Sequence, residues 1–146
     1  MLRLSLPLSL LLAVTACAGS PSAPSQADQE AKRFDPPPPT RGALYVYRSG
    51  LMGAMRPVDV SLTGRPSAQL GYNTFIRIDG PPGQVDIACK VGDNTTNGQV
   101  QMADGQTRFV EVSMRAGLWS PSCDVAEVSP DQAQAAIRSS RRVEPM

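Results

Sequence analysis

Thr74–Cys89, with the sequence TFIRIDGPPGQVDIAC, is the stretch that most directly decides the fold. In both halves apolar residues alternate with other residues, as expected of strands that bury one face. These residues are Ile76 and Ile78 before the centre, and Val85, Ile87 and Cys89 after it. The central Asp79–Gly83 consists almost entirely of residues that favour turns. The stretch therefore predicts two strands joined by a turn, with Cys89 on the core face.

Further strands are predicted on either side of this stretch. Ala43–Arg48 (ALYVYR) is rich in aromatic and branched residues, and Pro57–Leu62 alternates strictly before a hairpin turn at Thr63–Pro66. Thr107–Arg115 alternates again, whereas Gly92–Gly98 has the composition of a polar loop. A sandwich or a partly closed barrel could hold these strands. We predict an all-β fold, a small antiparallel β-sandwich of about seven strands.

One helix is predicted, at the C-terminal end. Ser129 has the position of an N-cap, Pro130 that of the first helical residue, and Gln132 completes a capping-box pattern. The helix should end near Arg138, closing a domain of residues 41–138 before a flexible tail of residues 139–146. Arg138, Arg141 and Arg142 suit the negative end of the helix, although binding of these arginines to anionic lipid is an alternative.

The N-terminal residues have the pattern of a signal peptide. Arg3 supplies a positive charge, Leu4–Val14 an apolar run, and Thr15 and Ala16 the small residues that a signal peptidase needs. The apolar run is shorter than the roughly 20 residues of a spanning helix. We therefore expect residues 1–16 to be removed.

The sequence Val14-Thr15-Ala16-Cys17 resembles the bacterial lipobox, with Val in place of the preferred Leu. The resemblance implies acylation of Cys17 after cleavage before it, and Ala18 implies sorting to the outer membrane, facing the periplasm. An ordinary secretory signal is the alternative. Residues 17–40, which are rich in Ser and Pro and include four consecutive prolines at 36–39, would then form an extended tether.

The two remaining cysteines, Cys89 and Cys123, are expected to form a disulfide, because an exported protein meets oxidising conditions. A metal or redox site and a pair of free thiols are the alternatives. A zinc site would require four ligands, and the chain contains no histidine and no Cys-x-x-Cys motif. We predict no metal and no cofactor.

Charge and composition also narrow the function. The chain has 14 Lys+Arg and 13 Asp+Glu residues, so no overall field favours nucleic acid. The absence of histidine excludes the usual Ser-His and Cys-His catalysis. A carboxylate-dependent glycan hydrolase using Asp79, Asp86 and Asp104 is the remaining enzymatic alternative, but isolated aspartates at turns are common. We expect no enzymatic activity and no catalytic residue.

The connection from Arg48 to Arg56 is the candidate partner-binding segment. It is rich in Gly and Met, and a flexible apolar segment of this kind is conspicuous when exposed. Trp119 could pack on the disulfide, as in other sandwiches, or extend the same surface. The candidate partner-binding residues are therefore Arg48, Leu51, Met52, Met55, Arg56 and Trp119.

The order of these features resembles that of a family of uncharacterised short bacterial lipoproteins. The similarity rests on the lipobox, the Pro-rich segment, the strand Leu44–Arg48, the strand Phe75–Ile78 and Pro81-Pro82-Gly83 before a strand containing Cys89. Thr63-Gly64-Arg65 departs from the Asp-Gly hairpin usual there. The resemblance implies a β-sandwich of the transthyretin or carboxypeptidase-regulatory type, acting as a lipid-anchored envelope binding or adaptor module. Its partner would be an envelope protein or a glycan, and a purely structural envelope lipoprotein is the alternative.

Overall fold

Two β-sheets, of five and four strands, face each other in a computed structural model that describes residues 19–146. The predicted all-β sandwich is confirmed. The signal peptide and the acylated Cys17 lie outside the described residues. No helix among residues 19–146 is long and apolar enough to cross a membrane.

The five-stranded sheet contains, in spatial order, β8 (Ser122–Glu127), β7 (Thr107–Arg115), β1 (Gly42–Arg48), β4 (Thr74–Gly80) and β9 (Arg141–Arg142). The four-stranded sheet contains β3 (Arg65–Leu70), β2 (Val58–Leu62), β5 (Gly83–Val91) and β6 (Asn94–Met102). Neighbouring strands are antiparallel, except that β1 pairs in parallel with β7 and β4 pairs in parallel with β9. The turn Pro81–Pro82 therefore links strands of different sheets, β4 and β5, across the sandwich.

The main core lies between the two sheets and follows the predicted alternation. Val58, Val60 and Leu62 of β2 point inward, and Val85 and Ile87 of β5 pack with them. The β2–β3 hairpin has the predicted position, and Gly64 at its turn has a positive φ of 68°, which glycine adopts without steric cost.

The prediction for the first part of β6 is wrong. The segment predicted as a loop, Gly92–Gly98, contains only a short turn before β6 begins at Asn94. Its polar residues fit a strand because β6 is the edge of its sheet and one face is open to water. Gly98 lies where β8 crosses, since a Cβ at this residue would come within 2.6 Å of Val125 Cγ1.

The predicted disulfide is confirmed between Cys89 on β5 and Cys123 on β8, whose Cα atoms lie 6.2 Å apart. Both cysteines are buried. The bond joins the two sheets along the edge where β6 faces β8, so it closes this side of the sandwich.

A second core lies on the outer face of the five-stranded sheet. Tyr45, Tyr47, Phe75 and Phe109 point away from the first core and are covered by two helices. These are α1 (Ser25–Ala31) and α2 (Pro130–Arg138). The α2 helix has the predicted bounds, and the Ser129 side chain accepts a hydrogen bond from the Gln132 backbone N–H at 3.4 Å.

Residues for which the sequence predicted an extended tether are instead packed on the domain. The Tyr45 hydroxyl donates a hydrogen bond of 2.7 Å to the Ala31 carbonyl at the end of α1. The Phe34 ring lies 5.5 Å from the Tyr45 ring and 6.2 Å from the Phe109 ring, and Pro37 is buried. The aromatic face of the sheet supplies the apolar surface that the segment itself lacks.

The predicted flexible tail, residues 139–146, is also folded. It contains β9 and the buried Val143, which forms a bridge with Ser22. The Arg142 guanidinium donates to the Ala27 carbonyl at 3.1 Å, so this arginine holds α1. The Met146 backbone N–H donates to Ser67, and Ser20 Oγ accepts from the Gln69 N–H. Both terminal segments thus cover the free edge of β3, and the folded unit extends from about residue 20 to 146.

Candidate functional site

Four connections meet at one end of the sandwich. They are residues 49–57 between β1 and β2, residues 71–73 between β3 and β4, residues 92–93 between β5 and β6, and residues 116–121 between β7 and β8. The register explains why: Arg48 lies opposite Thr74, and β1 runs in the same direction as β7. The start of β2 likewise lies opposite the ends of β3 and β5.

Large exposed apolar side chains are concentrated at this end. Leu118 is 98% exposed, Trp119 99% and Met55 96%, and the set contains six members: Leu51, Met52, Met55, Tyr72, Leu118 and Trp119. We call these six residues the apolar tip. Within residues 19–146 the remaining exposed large apolar residue is Met146, which lies elsewhere. Exposed apolar patches mark interaction sites more often than chance surface.

The structure brings together four of the predicted partner-binding residues and adds two that the sequence did not indicate. Leu51, Met52, Met55 and Trp119 belong to the apolar tip. Tyr72 and Leu118 were not predicted. Tyr72 is an isolated apolar residue beside a glycine, which carries no signal until the fold shows its neighbours, whereas Leu118 could have been found as the neighbour of Trp119. Trp119 does not pack on the disulfide, since its side chain is fully exposed while Cys123 is buried.

Arg48 is not at the surface. Its side chain is completely buried, and its guanidinium donates hydrogen bonds to four backbone carbonyls. Nη1 lies 2.6 Å from the Arg56 oxygen and 3.1 Å from the Leu70 oxygen, while Nη2 lies 3.2 Å from the Met52 oxygen and 2.7 Å from the Gly53 oxygen. Arg48 therefore acts as a positioning residue that fixes the connection 49–57, and its side chain is not part of the exposed surface.

Burial has an electrostatic consequence for Arg48. None of the ion pairs among residues 19–146 includes it, so carbonyl dipoles replace its hydration. Desolvation lowers the pKa of the Arg48 guanidinium below its usual value. An arginine starts from a pKa so high that it stays charged at neutral pH. The cation therefore continues to hold the carbonyls that converge on it.

Two further hydrogen-bond sets hold the tip. The Ser49 hydroxyl donates to Glu111 Oε1 at 2.8 Å, which fixes the start of the first connection. The Asn94 side-chain amide donates to Ser120 Oγ at 2.7 Å and to the Pro121 carbonyl at 2.8 Å. The connection that carries Leu118 and Trp119 is thus anchored to the beginning of β6. The sequence prediction of a loop at Asn94 missed this role.

The charged groups around the tip are few. Arg56 is exposed, and no carboxylate among residues 19–146 forms an ion pair with it. Arg115 pairs with Asp124, although its own side chain is 68% exposed. The charged groups at this end therefore include the exposed Arg56, the Arg115–Asp124 pair and the exposed Asp93 of the connection 92–93.

A second surface lies on the outer face of the four-stranded sheet. A shallow depression of about 710 Å³ has a floor of small residues, Ala88 and Gly98, between polar walls. The wall residues are Ser61, Thr63, Asp86, Asn97 and Gln99. Asp86 accepts a hydrogen bond from Gln84 Nε2 at 3.0 Å. Hydroxyls, amides and one carboxylate could bind the hydroxyl groups of a sugar.

Two of the three aspartates considered for hydrolysis lie on opposite faces of the sandwich. Asp79 lies on the helix-covered face of the five-stranded sheet, within 3.2 Å of Arg77, whereas Asp86 lies on the outer face of the other sheet. Two sheets separate them, and packed sheets are about 10 Å apart, beyond the separation that paired catalytic carboxylates require. Asp104 is in the turn between β6 and β7, at the end opposite the apolar tip. Among residues 19–146 no three His, Cys, Asp or Glu side chains form a group suited to a metal ion.

No family model matches the chain, and no curated protein matches it. The class that the fold and the site define is therefore a disulfide-bridged β-sandwich with two helices on one face and an apolar loop surface at one end.

Proposed function

We propose that this protein is a lipid-anchored, non-catalytic binding or adaptor module of the bacterial cell envelope. The observation that carries the proposal is the apolar tip, where six large side chains are exposed on connections held in place by Arg48 and Asn94. Maintaining such a surface in water is unfavourable unless another molecule covers it. Fixed connections also reduce the entropy lost on binding.

The anchor in this proposal is Cys17, supported by the lipobox pattern Val14–Cys17. The packing of residues 20–38 changes how the anchor would act. Ser20 is bonded to Gln69, and three residues reach at most about 10 Å. An acylated Cys17 would therefore hold the folded domain directly against the membrane, and we propose the outer membrane, periplasmic side.

The absence of catalysis is part of the proposal. It is supported by the lack of histidine in the chain and by the separation of Asp79 from Asp86 on opposite faces. The triple variant Asp79→Asn, Asp86→Asn, Asp104→Asn should bind a partner at the apolar tip as the native chain does. Loss of a glycan-cleaving activity in this variant would instead establish the hydrolase alternative.

Photocrosslinking in cells tests the binding function. A photoreactive residue is introduced at position 119 in the apolar tip and, as a matched control, at position 101, which is exposed on β6 away from the tip. We expect a discrete crosslinked product from position 119 and none from position 101. Equal labelling at both positions, or none at either, would favour the purely structural alternative. The mass of the chain from membranes, compared with Cys17→Ser, tests the anchor separately.

A glycan is a second candidate partner, favoured by the depression between Ser61 and Gln99. Its test is retention on insoluble cell-wall glycan. The double variant Asn97→Ala, Gln99→Ala should lose retention if the depression binds sugar, whereas Thr95→Ala on the same strand provides the control. Unchanged retention in the double variant would exclude this surface.

A further inference from the structure

We propose that the apolar tip inserts into the interfacial layer of a phospholipid bilayer, so that the domain contacts the membrane at a second point besides its acyl anchor. This inference rests on the proposed function, because it names the partner of the same surface. Four observations support it: the kind of side chains, their arrangement, the charges around them, and the position of the anchored end of the chain.

The side chains are those that partition into a membrane interface. Trp119 and Tyr72 have an apolar ring with a polar edge, and such rings are enriched at the level of lipid head groups. Leu51, Leu118, Met52 and Met55 are aliphatic and would enter the adjoining acyl region. Their exposure, from 53% for Met52 to 98% for Leu118, leaves them free to do so without rearrangement of the fold.

The arrangement favours a fluid surface over a second protein. The six residues project from three separate connections at one end of the sandwich. The side chains of Trp119 and Leu118 are almost completely exposed to solvent. Projecting side chains of this kind can enter a bilayer singly, whereas a protein hot spot consists of a packed and desolvated centre.

A cation lies beside the apolar side chains, because Arg56 directly follows Met55 in the chain, whereas the exposed carboxylate Asp93 lies on the separate connection 92–93. Arg56 has no ion pair among the described residues, and Arg115 is exposed beside its partner Asp124. A guanidinium forms strong, directed hydrogen bonds with phosphate oxygens. With the apolar side chains inserted, Arg56 at the base of the tip would lie at the level of the phosphate groups.

The position of the chain's anchored end is compatible with both contacts. Ser20 is bonded to Gln69, and Gln69 is only three residues from Tyr72 at the tip. The three residues from Cys17 to Ser20 span at most about 10 Å, which is comparable to the reach from Gln69 to Tyr72. An acylated Cys17 and the apolar tip can therefore lie in the same bilayer surface.

Fluorescence of Trp119 tests the inference directly, because it is the only tryptophan in the chain. The full chain is reconstituted into vesicles of phosphatidylethanolamine and phosphatidylglycerol whose acyl chains carry bromine, a short-range quencher. The reference is the Cys17→Ser variant, which lacks the acyl anchor, in buffer without detergent or vesicles. Relative to this reference, we expect the Trp119 emission of the anchored chain to be quenched and shifted to shorter wavelength. An anchored chain whose tip stays in water would keep unquenched, long-wavelength emission, and this result would overturn the proposal.

Variants separate insertion from anchoring and from folding. The double variant Leu51→Ser, Met55→Ser should lose most of the quenching, because each aliphatic side chain contributes about tenfold to partitioning. Met146→Ser removes an exposed apolar residue away from the tip and should leave quenching unchanged. Arg56→Gln should weaken quenching in vesicles containing phosphatidylglycerol but not in purely zwitterionic ones.

The outcomes also separate this inference from the proposed function. Absence of quenching together with a protein crosslinked at position 119 would overturn bilayer insertion and retain the binding module, with a protein as its partner. Absence of both would contradict the two proposals together. Quenching that persists undiminished in the Leu51→Ser, Met55→Ser variant would show that these two side chains do not drive it, and would overturn insertion of the six-residue tip as a unit.

Discussion

At the scale of the residue, Arg48 shows how a buried cation can organise the connections above it. Arg48 follows Leu44 and Val46 at the next core-facing position of β1. Its guanidinium group nevertheless donates hydrogen bonds to four backbone carbonyl oxygens. Carbonyls left without a donor in a buried setting are costly. The apolar tip therefore depends on a residue that is itself buried beneath it.

Replacing Arg48 should destabilise the fold and loosen the tip. We expect Arg48→Met to lower the free energy of unfolding by about 3 kcal/mol, because it removes charge-assisted hydrogen bonds and leaves buried carbonyls unpaired. Urea denaturation measures this change, and limited proteolysis should show earlier cleavage within residues 49–57. Arg56→Met, at an exposed position, should change stability by less than about 0.5 kcal/mol. Equal effects of the two variants would contradict the role given to Arg48.

Tyr47 gives a prediction on alkaline stability. Burial, and then the nearby charge of Glu111, raise the pKa of the Tyr47 phenol to about 12. A phenol of the unfolded chain ionises near its ordinary pKa of 10.0, so between these values the unfolded state loses a proton that the folded state retains. The stabilisation that comes from the neutral Tyr47 phenol is therefore fully present below pH 10, and it is lost as the pH rises from 10 to 12.

The contribution of Tyr47 is obtained by comparison with Tyr47→Phe. Over that pH range we expect the native chain to lose about 2 kcal/mol more stability than the variant, measured by urea denaturation at a series of pH values. A native chain and a variant that lose stability in parallel would show that the Tyr47 phenol does not cause the alkaline fall.

Sequence reasoning at this scale succeeded where periodicity determines direction. Alternation alone placed Cys89 toward the core, and Cys123 was its natural partner. Arg48 was expected at the surface, because a charged residue at the end of a strand normally reaches water. Nothing in the sequence shows that four carbonyls converge on it, since they come from residues as far apart as Met52 and Leu70.

At the scale of the element, helix α1 illustrates structure imposed by distant contacts. Ser25–Ala31 is polar, its N-cap Pro24 makes no side-chain hydrogen bond, and Ala31 is its only buried residue. Local propensity gives such a short segment little helical stability. Its position is fixed by Tyr45 and by the Arg142 N–H, which donates to Asp28 Oδ1 at 2.7 Å across 114 residues of sequence. Composition could predict a spacer but not these partners.

Releasing α1 should therefore leave the sandwich intact. Phe34→Ser removes the ring that packs on Tyr45 and Phe109. We expect fast hydrogen exchange and proteolysis within residues 20–38, while the strands keep their protection. Gln29→Ser, at an exposed position of α1, should change neither. If Phe34→Ser unfolded the whole domain, the N-terminal segment would be part of the cooperative core.

The disulfide is the element that joins the sheets along the β6–β8 side. Its loop spans 34 residues, for which the chain-entropy model gives about 3–4 kcal/mol of stabilisation. The double variant Cys89→Ala, Cys123→Ala should lose about this amount in urea denaturation. Cys17→Ser should be as stable as the native chain and equally sensitive to reductant. A reductant effect in the double variant would mean that another thiol accounts for the stabilisation.

At the scale of the whole molecule, the two sides of the sandwich are closed by different means. The disulfide and the close approach of Gly98 to Val125 close one side. The terminal segments cover the free edge of β3 on the other. Because unpaired strand edges promote aggregation, this closure leaves the apolar tip as the main exposed apolar surface of the described residues.

The fold class and the terminal helix were predictable, since strands and caps leave local patterns. The apolar tip was predictable only in part. The Met-rich connection 49–57 stands out in the sequence, but its proximity to Trp119 depends on the parallel pairing of β1 with β7. Such a pairing joins residues about 60 positions apart and leaves no local signal.

Oxidation of individual methionines tests the central claim most directly, namely that the apolar tip is covered in the cell envelope. Met52 and Met55 lie in the tip, Met146 is exposed elsewhere, and Met102 is fully buried, so the chain contains its own controls. Hydrogen peroxide is applied to the native chain in isolated envelopes and to Cys17→Ser in buffer, and sulfoxide formation is followed by mass spectrometry. We predict that Met52 and Met55 become severalfold slower to oxidise in envelopes, while Met146 is unchanged and Met102 stays slow in both. Equal oxidation of Met55 in the two preparations would contradict the account.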